Sequence, residues 1–192
     1  AILPTLQEDP MSIHFDTDMA GTLAEEVAHR MLTAARTAPK ARGKDTLVAA
    51  LVDEKTRSAI AEHMRQMVTE NRAAAFFARD ADNLDQSHAL ILLGTRIDPM
   101  RLAPCGLCGF ANCEEKEAHP DHPCAFNTGD LGIAIGSAVS VAMDARVDNR
   151  IMFSVGMAVR DMHLMGEDVK IIYGIPLSIA GKSPFFDRKP KH

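Results

Sequence analysis

The chain lacks the excess of basic side chains that nucleic-acid-binding proteins carry. It has 21 Lys and Arg against 26 Asp and Glu, which gives a net charge of -5 and a pI of about 5.9. Acidic and basic residues are interspersed, so no basic patch is available for nucleic acid or for an anionic membrane surface. We therefore expect neither class of partner.

Long apolar runs are also missing. Residues 1–15 contain Glu8, Asp9 and two prolines, and they include no stretch of the length that a signal peptide or a membrane span needs. The sequence has no internal repeat and no low-complexity tract. These absences predict a cytosolic protein that does not associate with membranes.

Cysteine is absent from most of the chain and concentrated in one stretch. All four cysteines fall within twenty positions, with the spacing C-x2-C-x4-C-x10-C: Cys105, Cys108, Cys113 and Cys124. Gly106 and Gly109 each follow a cysteine and allow tight turns that bring backbone N–H groups toward sulfur. Thiolates are soft ligands that suit iron, and this spacing predicts a loop that binds one [4Fe-4S] cluster.

Two other interpretations of the cysteines stay open. Zinc could be bound by four thiolates, or by three thiolates and one of the histidines His119 and His122, although structural zinc more often uses two C-x2-C pairs. A disulfide is the alternative without a metal, and disulfides are rare in a reducing cytosol. The two histidines lie beside Pro120 and Pro123, a context typical of an exposed loop.

The length of the chain bears on the role of the metal. A chain of 192 residues forms one domain by default and buries about 70% of its unfolded surface. Such a core is stable without metal, so the cluster should be functional or should order only its own loop.

A short cationic segment follows the first predicted helix. Arg36, Lys40, Arg42 and Lys44 lie within nine residues, around Pro39. Such a run of charge is commonly a solvated turn, and it could instead form a cradle for a phosphate group.

Hydrophobic periodicity predicts a mixed architecture. The capping box Thr22 to Glu25 opens a helix that runs to about Arg36, and Asp53 caps a second helix. Residues 76–86 are expected to be irregular. Strands are predicted at 47–52, 88–93 and 169–175, and two late helices at 130–145 and from Asp148 toward Gly166. The fold class is α+β, as a three-layer α/β/α-like arrangement that carries an iron-sulfur insertion.

Five conspicuous stretches span most of the chain: residues 34–43 (AARTAPKARG), 77–83 (FARDADN), 105–114 (CGLCGFANCE), 147–152 (VDNRIM) and 173–189 (YGIPLSIAGKSPFFDRK). Together they resemble a prokaryotic family of unknown function that contains a ferredoxin domain. The resemblance implies an iron-sulfur protein and brings no established reaction. The CGxCGxxxC run is also similar to the cluster domain of electron-transport subunits, in which the last cysteine lies farther along.

Three further landmarks occur in order along the chain: the helix end at 34–39, the strand at 47–52 and the segment 167–176 (EDVKIIYGIP). In these the chain also resembles the FMN-dependent nitroreductase scaffold. This resemblance implies an FMN-binding homodimer, although the family's usual Arg-x-Ser-x-Arg phosphate motif is absent. The phosphate contacts would then come from other cations: Arg36, Lys40, Arg42, Lys182 and Arg188.

The implied organisation has an N-terminal extension at 1–18 and a nitroreductase-like core at 19–98 and 127–192. A cluster-binding insertion occupies 99–126. Two function classes follow: an electron-transfer protein or redox enzyme with an unidentified redox partner, or a non-enzymatic module whose metal is structural or redox-sensing. A buried polar pair near the cluster, or a flavin pocket between two subunits, would favour the first class. A solid apolar core with no cavity beside the cysteine loop would favour the second.

Overall fold

The computed structural model describes residues 13–186 as one four-stranded sheet with helices on both faces. The elements in chain order are α1 (Asp16–Thr37), β1 (Leu47–Val52), α2 (Glu54–Thr69), α3 (Phe76–Asp85), β2 (Ala89–Arg96), α4 (Cys113–Glu117), α5 (Ala125–Asp144), β3 (Asp148–Asn149), α6 (Phe153–Asp161) and β4 (Val169–Ser178). A short 3-10 turn, Ala41–Gly43, lies between α1 and β1. The strand order is β1-β2-β4-β3, and every pair is antiparallel. The predicted α+β, three-layer fold class is confirmed.

The central strand β2 supplies side chains to two cores because its residues alternate between the faces of the sheet. Ile91 and Leu93 pack with α1 and α5, and Leu90 and Leu92 pack with α2, α3 and α6. Helix α1 buries a stripe of residues at helical spacing, four of them alanines: Ala20, Ala24, Ala28, Met31 and Ala35. The small alanine side chains let the long helix lie close to its neighbours.

Helix α6 lies unusually close to β4, and two glycines make this approach feasible. A Cβ atom at Gly156 would lie 1.7 Å from the carbonyl oxygen of Ile172. A Cβ atom at Gly174 would lie 2.3 Å from Cγ1 of Val155. Any larger residue at either position would force the helix away from the sheet.

Several element boundaries differ from the sequence predictions. Helix α1 begins at Asp16, so Thr22 is an interior residue and not a cap, and the last residues of the predicted extension 1–18 are helical. Residues 76–85 form a helix and not an irregular segment. Asp148 does not cap a helix, because it pairs with Ser178 as the start of β3.

The two ends of the sheet carry different connections. At one end, Leu47 pairs with Thr95 and Thr95 with Ile171, and the chain leaves β2 there for the cysteine segment. We name this the cysteine end. At the other end Ala89 pairs with Leu177, and helix α3 lies nearby; we name this the Asp80 end. No helix within residues 13–186 is long and apolar enough to cross a membrane.

Candidate metal centre

The four cysteines lie on the segment between β2 and α5, residues 97–124, which we call the excursion. Cys105 immediately precedes a turn that contains Cys108, Cys113 is the first residue of α4, and Cys124 immediately precedes α5. All four thiols are free of disulfides; Cys124 is buried and the other three are half-buried. The disulfide alternative therefore has no counterpart in this structure.

Local hydrogen bonds fix the backbone around Cys113. The side chain of Asn112 accepts a hydrogen bond from the N–H of Glu115 at 2.8 Å. In return the Glu115 carboxylate accepts one from the N–H of Ala111 at 2.7 Å. This reciprocal pair is a helix cap. Gly109, with φ of +91°, supplies the left-handed turn before it.

The two histidines of the segment pack against a phenylalanine, His119 stacked on the ring and His122 at right angles to it. The ring centroids of Phe110 and His119 are 5.1 Å apart, and those of Phe110 and His122 are 5.4 Å apart. Within the described residues no group of three or more His, Cys, Asp or Glu side chains is arranged around a point that could hold a single metal ion. A cluster is a different case, because each thiolate binds a separate iron.

Buried polar groups tie the start and finish of the excursion to the sheet. The Asn127 side chain, fully buried in α5, accepts a hydrogen bond from the N–H of Asp98 at 2.8 Å. The hydroxyls of Thr46 and Thr95 form a buried pair at 2.8 Å, and the Asn127 amide donates to Thr46 at 3.5 Å. The excursion is thus held at its base by side chains from β2, from α5 and from the residue just before β1.

The cationic segment contributes to the same base. The Lys44 ammonium lies 2.5 Å from the Asp98 carboxylate, and the Arg42 guanidinium donates to the carbonyl of Met100 at 2.9 Å. Asp130 of α5 accepts from the N–H of Ala41. These contacts dock the segment between α1 and β1 against the start of the excursion.

The remaining cations of the predicted phosphate cradle have protein partners too. Lys40 donates to three carbonyls at the end of α1, those of Ala35, Arg36 and Ala38, at 2.6 to 2.9 Å. Arg36 donates to Asp45 at 2.6 Å and to the carbonyl of Leu47 at 3.0 Å. All three hydrogens of the Lys40 ammonium are thereby used.

These contacts change the pKa of the Asp45 carboxyl. Its partial burial raises the pKa, but hydrogen bonds from Arg36 and from the N–H of Leu47 outweigh burial and hold the pKa below its ordinary value. Of the other predicted phosphate contacts, Lys182 is exposed and Arg188 lies outside the described residues.

An open apolar hollow adjoins the first cysteine. Its volume is about 390 Å³, and it is lined by Leu102, Pro104, Cys105, Gly106, Leu107 and Phe126. The Leu107 side chain is 72% exposed at its rim. A half-buried thiol therefore borders a surface that a small molecule or a partner's apolar side chain can reach.

A second polar cluster lies at the Asp80 end. The Asp80 side chain is 5% exposed and accepts hydrogen bonds from Arg79 at 2.8 Å and from the buried Ser154 hydroxyl at 2.7 Å. The Arg150 guanidinium lies 3.5 Å from it. No local sequence pattern identified this cluster as a site. Its only signal was that Asp80 and Arg150 belong to two of the conspicuous stretches, FARDADN and VDNRIM.

Comparison with known proteins finds a matching family and a protein of similar sequence. A family model described as "Uncharacterized protein containing a ferredoxin domain (DUF2148)" matches residues 121–188. An uncharacterized protein of Archaeoglobus fulgidus is 39% identical over 168 residues, which cover 84% of this chain and 89% of that protein.

Solved structures share the fold. The hypothetical oxidoreductase YcnD of Bacillus subtilis matches with a TM-score of 0.54 at 16% identity, over 88% of this chain and 61% of that protein. A nitroreductase family protein of Clostridium novyi gives 0.56 at 14% identity, over 84% and 76%. An FMN-dependent nitroreductase of Clostridium difficile gives 0.51 at 14%, over 82% and 77%. At these identities the likeness concerns the fold, and this chain spans about 61% of the length of the Bacillus protein.

Proposed function

We propose a redox function for this chain, which belongs to the family described as "Uncharacterized protein containing a ferredoxin domain". In this proposal Cys105, Cys108, Cys113 and Cys124 bind one [4Fe-4S] cluster as thiolates. The protein transfers electrons, either as a carrier or as a redox enzyme. Residues 99–126 then act as a cluster-binding insertion between the two parts of a nitroreductase-like core, 19–98 and 127–192.

The donor set supports this proposal. Four thiols free of disulfides lie on one excursion, and soft thiolates are the ligands that iron-sulfur clusters use. Thiols have to remain reduced to serve as ligands, which is consistent with our proposal of a cytoplasmic location. When bound, a cluster supplies a site for single-electron transfer.

The observation that favours a redox protein over a structural module is the surroundings of Cys105. The open hollow of about 390 Å³ borders this residue, and the buried Thr46–Thr95 pair lies at the base of the excursion. A metal that only pinned a loop would need neither feature. We infer that the hollow admits the redox partner or its reacting group.

Quantification of metal tests the assignment. After anaerobic purification and reconstitution with iron and sulfide, we expect about four irons and a matching amount of sulfide per chain. The spectrum should be that of a cluster, with broad visible absorbance. One zinc per chain and no iron would refute the redox proposal and support a structural site.

We also propose FMN as a second cofactor, on the basis of the shared fold. Arg36, Lys40 and Arg42 already donate to protein acceptors, so these residues do not fit a phosphate in this conformation. Lys182 is exposed, and it is the described cation of the predicted set that has no internal partner. Fluorescence titration with FMN is the direct test: saturable binding that Lys182→Ala weakens would support the proposal, and no binding would remove it.

The proposed assembly is a homodimer through α5. Gly132, Ile133, Gly136 and Met143 form an exposed stripe on this helix, with Ile133 47% and Met143 63% exposed. A Cβ atom at Gly136 would meet nothing within 4 Å, yet glycine inside a helix costs about 1 kcal/mol relative to alanine. Close packing of a second chain would use that space. Analytical ultracentrifugation should give a dimer that Ile133→Glu dissociates; a monomeric parent would contradict this assembly.

A further inference from the structure

Three buried polar atoms at the Asp80 end have no protein partner. Within residues 13–186, the buried side-chain nitrogen and oxygen atoms that make no hydrogen bond are Nη1 of Arg150 and the hydroxyl oxygens of Ser178 and Ser183. Ser178 is only 1% exposed. Buried polar groups in folded proteins almost always have a hydrogen-bond partner, so these three atoms call for one.

The register of the sheet places two of these side chains on one face. Asp148 pairs with Ser178, and Met152 forms a second bridge to β4, so residues 148–152 run beside that strand. Side chains alternate along an extended chain, and those of Arg150, Met152 and Ser178 therefore share a face. Met152 packs with α2, α3 and α6, and the Arg150 guanidinium reaches α3 on the same side.

The carboxylate that Arg150 meets already has other donors. Oδ1 of Asp80 accepts from Arg79 at 2.8 Å, and Oδ2 accepts from the Ser154 hydroxyl at 2.7 Å. Nη1 of Arg150 lies 3.5 Å from Oδ1 and makes no hydrogen bond to it. Within the described part of the chain, no other carboxylate forms an ion pair with either arginine. Two arginines thus share one carboxylate, which leaves a positive charge in excess.

Exposed aromatic rings flank this cluster. The guanidinium carbon of Arg150 lies 6.0 Å from the centroid of the Phe186 ring, which is 63% exposed. The guanidinium carbon of Arg79 lies 5.9 Å from the Phe76 ring, and that ring is 5.8 Å from Phe153, which is 52% exposed. Since the Phe186 ring is mostly exposed, it loses little buried area when it turns aside to admit a ligand.

These groups define the chemistry of a ligand. A guanidinium is a rigid fork of N–H donors that matches the paired oxygens of a carboxylate or a phosphate. Hydroxyl groups can donate to the same oxygens. The excess positive charge favours an anion over a cation, and the exposed rings favour an apolar group beside the anionic one.

We propose that the Asp80 end binds a small organic oxyanion, a carboxylate or a phosphate ester that carries an apolar group. Nη1 of Arg150 is its principal donor, and the Ser178 hydroxyl is a second. The Ser183 hydroxyl, three residues before Phe186 on the same tail, is available as a third. The apolar group packs on the Phe186 ring. This inference rests on neither the proposed cluster nor FMN.

Isothermal titration calorimetry with three probes tests the site and identifies the acid. Phenylacetate supplies a carboxylate, phenyl phosphate supplies a phosphate, and phenylacetamide replaces the carboxylate with a neutral amide of similar shape. We expect saturable binding of at least one acid, with an affinity about tenfold or more above that of the amide. The acid that binds more tightly gives the ligand class. No binding of either acid would overturn the proposal.

Two variants and a control assign the binding to these residues. Arg150→Met should weaken binding of the acid about tenfold, because it removes the charged donor. Ser178→Ala should weaken it about threefold, and its midpoint of urea unfolding should stay the same or rise because an unpartnered hydroxyl is gone. Arg160→Met makes the first substitution at an α6 arginine that donates to the carbonyl of Lys170, toward the cysteine end, and should bind the acid as the parent does.

Parent affinity in Arg150→Met would overturn the proposal, and so would equal weakening in Arg160→Met. If Arg150→Met does not fold, Ser178→Ala decides the question, since it leaves the contacts of Asp80 intact. Parent affinity in that variant would then overturn the site.

Discussion

The two ends of the sheet use polar side chains in different ways. At the Asp80 end, one buried carboxylate accepts hydrogen bonds from Arg79 and from the Ser154 hydroxyl, and it lies 3.5 Å from the Arg150 guanidinium, so its charge is paired within the fold. At the cysteine end, polar groups hold backbone atoms of the excursion, while four thiols are free of disulfides. A buried carboxylate that is paired with arginines contributes to the fold, and free soft thiols suit a metal.

The contrast between the two ends of the sheet predicts that separate substitutions can abolish iron binding and reduce the stability of the fold. Cys108→Ser should abolish cluster binding, because a hydroxyl is a poor substitute for a thiolate on iron, while the core keeps its cooperative unfolding. Iron content and urea unfolding of the same sample measure both. Loss of cooperative unfolding in this variant would show that the metal is structural and that the two ends are not independent.

Asp80→Ala should have the converse effect. It removes the acceptor of Arg79 and of the buried Ser154 hydroxyl, together with the counter-charge of Arg150, and we expect a loss of about 3 kcal/mol in the free energy of unfolding. This value is at the low end for a broken buried pair because the Arg79 side chain is 41% exposed. Iron content should not change.

The matched control for Asp80 lies on the same helix. Asp82 is 64% exposed and pairs with Arg65 at 2.8 Å, so Asp82→Ala should cost less than about 1 kcal/mol. Equal losses for the two variants would show that burial of the Asp80 cluster contributes nothing to stability.

Asn127→Ala probes the base of the excursion. It leaves the N–H of Asp98 without its acceptor, and we expect about 1–2 kcal/mol of destabilisation together with faster release of iron to a chelator. The next residue provides the control: Thr128 donates only to the carbonyl of Ala125 within its own helix, so Thr128→Ala should release iron at the parent rate. Parent-like release from Asn127→Ala would mean that the base does not support the metal centre.

The smallest predicted effect concerns pH at the Asp80 end. Burial lowers the pKa of His88, the positive charge of Arg57 lowers it further, and Nδ1 accepts a hydrogen bond from the N–H of Ile179 at 3.1 Å. A lowered pKa means that the folded protein binds this proton less readily than the unfolded chain. The contribution of His88 to the free energy of unfolding is therefore complete above about pH 6.5 and decreases as the pH falls below that value.

Urea unfolding between about pH 7 and pH 5 measures this contribution. The decline in unfolding free energy should be shallower in His88→Gln than in the parent, and unchanged in the control His29→Gln on α1. An unaltered slope in His88→Gln would contradict the assigned pKa direction.

Local sequence patterns were sufficient to predict the bounds of some helices and strands and insufficient for others. Strand β1 was predicted with its observed bounds, because an apolar run is enclosed by Asp45 and Asp53, and Asp53 caps α2 through the N–H of Thr56. Strand β2 continues past Gly94, which was expected to end it. A Cβ atom at Gly94 would lie 2.7 Å from Val169, so this glycine serves packing inside the sheet.

The sites show the same division. The cysteine spacing is local, and it was readable from the sequence. The Asp80 cluster joins residues 74 positions apart, so it was not accessible from local pattern. Helix α3 did leave a signal in Phe77, Ala81 and Leu84, which recur at helical spacing.

An anaerobic redox titration of the reconstituted protein tests the central claim most directly. The account predicts that each chain takes up about one electron reversibly while iron and sulfide stay bound. A centre that accepts no electron, or that releases its iron on reduction, would contradict a redox function at the cysteine end.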